Sequence, residues 1–450
     1  MGHEASNWTA RRSGRTPHSD DVRTNFEIDY ARVVHSGAFR RLQGKTQILS
    51  LGDDDFYRSR LTHSMEVAQV AEGIAQHLRA SALPPQVAQL VPPPPLIQTV
   101  GLSHDIGHPP FGHGGELALN YCMRKAGSFE GNAQTLRLLS RLENFSDDHG
   151  ADLSRRTSLG LLKYPALQSK ARNSQIQPGL APSSTTIAVL ESKSCKPAKA
   201  CYDDDVGAFD WILECLSPQD REAFCAIDAR EGKHGETRHK SFDCSIMDVA
   251  DDIAYGVHDL EDAIALGFIS RDDFCMAITE PLCEHLVAQL SKRPLSGLTG
   301  SFADLVNHLF GSASARKRAI GRLVHYFIRA VELDKVGLFD EPLLIWRAVM
   351  ASPARPLLSA FQTLIVNLVI NSPRVQHLEF KGQRMVIAVF EAIVSDPSRL
   401  LPPDLARVYE ESANPLRVVS DYVSAFTDGA LLRTYERLFS PRTGSVFDRI

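Results

Sequence analysis

The chain has 450 residues, 43% of them hydrophobic and 23% charged, with a formal net charge of −5. That is the composition of a water-facing globular protein with material for a large core, long enough for up to about three domains. It excludes a global basic field for nucleic acid, so any anionic ligand must be held by local cations.

No apolar run approaches the roughly 18 residues that a membrane span needs; the longest, Leu364 to Ile370, is interrupted by Asn367. The N-terminus has no apolar segment of the signal-peptide kind, and Met1-Gly2 with Ser6 fits only a short myristoylation pattern. The eight cysteines are scattered, with no Cys-x-x-Cys pair. They read as thiols of a reducing cytoplasm, not as a zinc ribbon or redox motif. The expected location is cytoplasmic, with no membrane partner.

In chain order, the stretch before residue 20 is rich in Arg, Ser, Gly, Pro and His and reads as a loose arm. From Asp29 the pattern turns helical, with Tyr30, Val33, Val34, Ala38, Phe39 and Leu42 at three- and four-residue steps. A loop is expected at Gly52 to Asp55. His63, Val67, Val70, Ala71 and Ile74 mark one helix face, broken by Pro84-Pro85 and Pro92 to Pro95. The next helix carries Ile97, Val100 and His104 on one stripe and is expected to end at Pro109-Pro110. Residues 155 to 200 hold eight Lys/Arg and one acid, Glu191. Most of that segment reads as a basic loop, mobile at least in part, or as a plain solvated insertion. Helical periodicity returns at Trp211, is strong from Ser245 to Leu266, and continues to Ile450 between prolines. Alternating strand patterns are rare, so the predicted fold is all-α.

The segment GLSHDIGHPPFGHGGE, Gly101 to Glu116, packs three histidines, an aspartate and a glutamate around two prolines. Taken singly, His63 or His104 on an apolar helix face reads as a satisfied core histidine. Taken as a set, His63, His104, Asp105 and Asp251 are imidazole and carboxylate donors suited to Mg, Mn, Fe, Co, Ni or Zn, with no thiolate among them. On the third helix, Asp251, Tyr255 and Asp259 are spaced by four, opposite the apolar stripe Ile246, Val249, Ile253, Val257 and Leu260. That pattern fits either an exposed polar face or a helix that lines a pocket. His113 and Glu116, three apart, have a spacing that allows contact on a helix or turn.

The order His63, His104-Asp105, Asp251 resembles the HD-domain phosphohydrolases. The stretches AFRRLQGKTQI, RLTHSMEV, HDIGHPPFGHGGE, FEGNAQTLRLL, LLKYP and ADDIAY resemble more closely the bacterial deoxyguanosine triphosphate triphosphohydrolases and their relatives. The C-terminal EFKGQRMV and DYVSAFTDGALLRTYERLF resemble them more loosely. The resemblance implies an HD-domain helical core with an additional C-terminal helical bundle. The chain then divides into an arm and helix over 1–58 that contributes to the site, an HD core over 59–265 with a basic loop at about 166–202, and a C-terminal helical region over 266–450. It implies a divalent metal, most simply Mg or Mn, on His63, His104, Asp105 and Asp251. It implies Gln47, Tyr255 and Asp259 at a deoxyribose, and Arg60, His108, Lys163 and Tyr164 at phosphates and substrate. Arg60 suits that role because guanidinium gives fixed bidentate donors. His113 and Glu116 become the acid/base pair; His108 also reads as a cap before Pro109, and Tyr255 as core packing.

The implied activity is metal-dependent hydrolysis of a dNTP, dGTP or others, to deoxynucleoside and tripolyphosphate. A homo-oligomer is implied, a hexamer in many relatives, with a dNTP or single-stranded DNA as an allosteric ligand. The alternatives are another HD-type nucleotide phosphohydrolase, a 5′-nucleotidase or phosphodiesterase, and a regulatory nucleotide- or single-stranded-DNA-binding protein of the same fold. Residues 166 to 202 follow the family pattern poorly, which leaves the base preference and the role of this loop open.

Overall fold

A computed structural model of the chain describes residues 7–48, 58–185, 187, 189–292 and 300–441. The Met1–Ser6 pattern and the Gly52–Asp55 loop lie outside them. The fold is all-α, with two short antiparallel hairpins among the described residues, Ile227–Asp228 with Glu236–Thr237 and Val331–Lys335 with Trp346–Met350.

Helix α1 (Asn25–His35) starts at a reciprocal cap, Thr24 accepting from the Glu27 amide while Glu27 accepts from the Thr24 amide. Three long elements then build the floor of the molecule. Helix α2 (Arg60–Ala80) starts at Ser59, whose hydroxyl accepts from the Thr62 amide. Helix α3 (Pro94–Ser103) has Pro94 at its first turn, where the missing N–H is harmless. Farther along the chain, Phe242–Ala265 forms the longest described helix, capped by Ser241. Its apolar stripe is buried, as is the His63-to-Ile74 stripe of α2. Each such fully buried Ile, Leu or Phe contributes on the order of 1.5–3 kcal/mol.

Helix α3 ends at Ser103, not at the prolines. His104 caps it, and its Nδ1 turns back to the Gly101 carbonyl at 2.7 Å. A short turn leads to Pro109-Pro110. Then comes helix α4 (Gly112–Cys122). It is followed by α5 (Gly131–Arg137), α6 (Arg155–Leu161) and, after the irregular stretch, α7, the Phe242–Ala265 helix. The Val331–Lys335 hairpin is tied to α7 by a bond from the Ala348 amide to Ser245 Oγ at 2.8 Å.

The arm before residue 20 is not loose throughout. Arg11 is buried, donating to Asp29 at 2.7 Å and to the Asp152 carbonyl at 2.5 Å. Asp29 also accepts from Ser154 and Thr157. A buried carboxylate with four donors is satisfied, and it pins the arm to α6. The basic stretch 166–202 has little regular structure, yet its ends are built in. Leu167 bridges Cys201 in parallel, and Cys195, Ala198, Ala200, Cys201 and Tyr202 are buried.

One hydrophobic interior runs from Val33 through Val375, continuous across residue 266. A second joins Leu117 to Phe129, Leu190 and Cys195 with Met385 to Leu431. Here α4 packs on α8 (Pro373–Ser395), which in turn packs on α9 (Pro415–Ser424) and α10 (Asp428–Phe439). The segment bearing His113 thus lies on the C-terminal helices, while the segment bearing His63 lies in the first interior. No described helix is long and apolar enough to cross a membrane.

Candidate functional site

Where α2, α3 and α7 meet, His63 Nε2 lies 3.2 Å from Asp251 Oδ1, and His104 Nε2 lies 3.7 Å from the same oxygen. These three side chains form the cluster that could hold a metal ion. The His104 Nδ1 bond to Gly101 fixes the tautomer and leaves Nε2 facing the cluster, where it has no other hydrogen-bond partner. Asp105 sits beside it, Oδ1 at 3.5 Å from His104 Nε2 and 3.1 Å from His108 Nδ1, Oδ2 at 2.5 Å from Arg60. Asp252, next in sequence to Asp251, points away to Arg355 and Gln362. Burial alone would raise the Asp251 pKa, but His104, His63 and Lys163 hold it far below the usual carboxylate range. Burial likewise opposes a charge on His63, and Asp251 overrides it, raising the imidazole to about 9. The two imidazoles and the carboxylate face one another closely enough to share a cation, which would displace the proton from His63 on binding.

Arg60 is not a surface arginine. It opens α2, is almost fully buried, and its Nε is unpartnered. Lys163 and Tyr164 follow α6. Lys163 Nζ lies 2.9 Å from Asp248 and 3.6 Å from Asp251. Asp248 also pairs with Lys240.

On the α7 stripe, Asp259 is buried and Tyr255 half-buried. Gln47 and Asp259 line one pocket with Ile48, Arg58, Asp262, Ile365 and Val369. Gln47 Oε1 and Asp259 Oδ2 are buried without partners. Burial pushes the Asp259 carboxyl up to about 7 and the Tyr255 hydroxyl up to about 12. Asp259 lines this pocket and Tyr255 is half-buried, so the stripe is not an open polar face.

The other wall is the turn into α4. Phe111 and Gly112 both have left-handed backbone, φ 61° and 55°. For glycine that is ordinary; for a phenylalanine it costs on the order of 1–3 kcal/mol and persists only where the surroundings fix it. A Cβ on Gly112 would also stand 2.8 Å from the Arg60 guanidinium. The turn carries His113, whose ring lies 5.6 Å from that of His108. His113 is exposed, with surrounding protein partly desolvating its ring. That desolvation, opposed by Glu116, pulls its pKa down to about 4. With its pKa lowered, the ring is neutral at pH 7. Glu116 is buried and accepts from the Gly131 amide at 2.8 Å and from Lys199 at 3.4 Å, while its charge acts on His113 through space.

Sequence reasoning missed Lys199, which comes out of the irregular stretch to bridge Glu116 and Glu130, the latter at 2.9 Å. Its signal was only a lysine in a basic segment. It also missed Lys240, and the C-terminal residues that hold the Phe111 turn.

A buried His/Asp cluster centred on a His-Asp dipeptide, on packed helices, defines an HD-domain protein. The HD domain model matches residues 60–155, and the phosphohydrolase-associated domain matches 348–437. This is a class of metal-dependent phosphohydrolases. Within it, the chain is 42% identical to the deoxyguanosinetriphosphate triphosphohydrolase-like protein of Shewanella halifaxensis, covering 98% of both chains. It is 44% identical to the protein of that name from Shewanella woodyi, over 99% of this chain and 98% of the other. The chain belongs to the deoxyguanosinetriphosphate triphosphohydrolase-like family.

Proposed function

We propose that the protein hydrolyses a deoxynucleoside triphosphate, dGTP or others, to deoxynucleoside and intact tripolyphosphate. One observation carries this reading. Four buried polar atoms of the candidate site have no hydrogen-bond partner: His104 Nε2 and Arg60 Nε on the metal side, Gln47 Oε1 and Asp259 Oδ2 on the pocket side. Buried groups are rarely left unpaired unless a ligand completes them. A sugar hydroxyl suits Gln47 and Asp259, with the half-buried Tyr255 ring crowding the 2′-carbon. Triphosphate oxygens suit Arg60, His108, Lys163, Tyr164 and Lys199.

His63, His104, Asp251 and Asp105 would hold the divalent cation; hard oxygen and imidazole donors suit Mg or Mn, and also Fe, Co, Ni or Zn. When bound, such a cation supplies Lewis-acid polarisation of a phosphoryl oxygen. His113, neutral at pH 7, accepts a proton from the water that attacks the α-phosphorus, the bond from phosphorus to the 5′-oxygen breaks, and the imidazolium returns the proton to that departing oxygen to give the 5′-alcohol. Glu116 stabilises the imidazolium that results. Arg60, Lys163 and Lys199 balance the charge that builds on the tripolyphosphate.

The test is a panel of the four dNTPs and GTP with Mg, Mn and Co, with products resolved by ion-exchange chromatography. The expected products are deoxynucleoside and tripolyphosphate, with GTP spared. Orthophosphate as the sole phosphate product points to a nucleotidase and ends this reading; no turnover at all points to a regulatory binder.

A further inference from the structure

The Phe111–Gly112 turn and the segment bearing Gln47 are separated by about sixty residues, yet one side chain from the far end of the chain holds both. Asp428, in the first turn of α10 and buried, accepts from the Phe111 amide through Oδ1 at 2.9 Å. Through Oδ2 it accepts from the Thr46 amide at 2.9 Å and from the Thr46 hydroxyl. Beside it, Lys45 Nζ donates to the His108 carbonyl at 2.5 Å and to the Ser424 carbonyl at 2.9 Å. Helix α8 grips the same turn from another side. A Cβ on Gly382 would stand 2.5 Å from Phe111 Cγ, so the Phe111 ring is seated against bare backbone. A non-glycine residue in left-handed conformation persists when its surroundings over-determine it. The hydrogen bond from the Phe111 amide to Asp428 and the ring seat on Gly382 do so here.

We infer that Asp428 is a positioning residue of the active site, clamping together the segment that presents Gln47 and the strained turn that aims His113. The inference rests on the roles proposed above for those two residues. Asp428 touches neither substrate nor metal; it acts through the Thr46 and Phe111 backbones. With a carboxylate, all three donors meet an acceptor. An asparagine has one acceptor oxygen, so its amide group must face a donor on one side, and an alanine satisfies none of them.

The test compares wild type with Asp428→Ala and Asp428→Asn. Amide hydrogen exchange is read over residues 43–48 and 106–116, together with Mn affinity and dNTP turnover. In Asp428→Ala both segments should exchange about ten-fold faster or more. Turnover should fall about 30- to 100-fold while Mn affinity stays within about three-fold, because the metal-side residues stand on other elements. Asp428→Asn should fall in between. Thr46→Val removes only the hydroxyl donor and should shift exchange and turnover in the same direction by a smaller factor; it decides the matter if Asp428→Ala fails to fold. Unchanged exchange over 106–116, or a turnover loss matched by an equal loss of Mn affinity, overturns the clamp. Exchange reads the clamp whether or not dNTPs are substrates, so a wild type inactive on dNTPs ends the functional reading alone.

Discussion

The two walls of the site are built by different means. His63 and Asp251 project from long helices whose apolar backs are buried in the first interior, and His104 caps a third. Their placement follows from helix geometry, so few further contacts are needed to aim them. His108, His113 and Glu116 lie on and beyond a proline-rich turn with two left-handed residues. That wall is aimed by contacts that span hundreds of residues, from Asp428 and Gly382, and by Lys199. A helix-borne wall resists local change and breaks when a ligand is removed. A turn-borne wall fails in addition when a distant support is lost.

The sharpest break is on the helix-borne wall. Asp251→Ala leaves His63 and His104 facing each other with no carboxylate between them. Metal binding should be lost, and turnover should drop to below about a thousandth of wild type. Calorimetric titration with Mn reads the first and product release the second. Tight Mn binding in this variant would remove Asp251 from the ligand set.

Next comes the turn-borne wall. His113→Ala should keep the metal with unchanged affinity while turnover falls about 10²- to 10⁴-fold, the range of a lost proton-transfer group. Loss of metal in the same variant would mean the two walls are one unit. Lys199→Met should act less strongly, about ten- to a hundred-fold in kcat/KM, the scale of one charge-assisted bond. It leaves Glu116 and Glu130 without their shared cation, so a wild-type kcat/KM would reduce Lys199 to a structural tie.

The same contrast explains what could be read in advance. His63 and His104 fall on apolar helix faces and Asp251 on the polar stripe of a third helix, placements the 3.6-residue period makes visible; only the set together, and its resemblance to HD-domain proteins, marked them as ligands. The all-α fold follows from the same periodicity. The short Val331–Lys335 hairpin escaped, since five-residue strands beside helical flanks give almost no alternation to detect. The pinning of Arg11 escaped too, because Asp29 looks like any aspartate of an amphipathic helix until Ser154 and Thr157 arrive beside it. Lys199 comes from a stretch with no period, and Asp428 meets its partners more than three hundred residues away. Nothing local distinguishes them from solvated charges.

The smallest expected effect concerns the pocket between the walls, and it is a stability effect. Burial raises the Asp259 carboxyl to about 7 in the folded protein, above its unfolded value near 3.9. A raised folded pKa means the native state holds the proton more tightly. Its contribution to stability is fully present below the unfolded pKa and is lost as pH rises through the folded one. Between about pH 4 and pH 7 the wild type therefore pays a growing penalty for keeping Asp259 buried, level above that. Asp259→Asn has the same shape and no charge to bury. Its stability relative to wild type should grow by about 2.6 kcal/mol from pH 5 to pH 8, because each tenfold difference in proton affinity is worth about 1.4 kcal/mol. Urea unfolding of the metal-free proteins at both pH values measures the difference. A gap that stays constant with pH would show that Asp259 is ionised at little penalty, its charge met by Arg58 and water, and the pocket would then be wetter than its unpartnered Oδ2 implies.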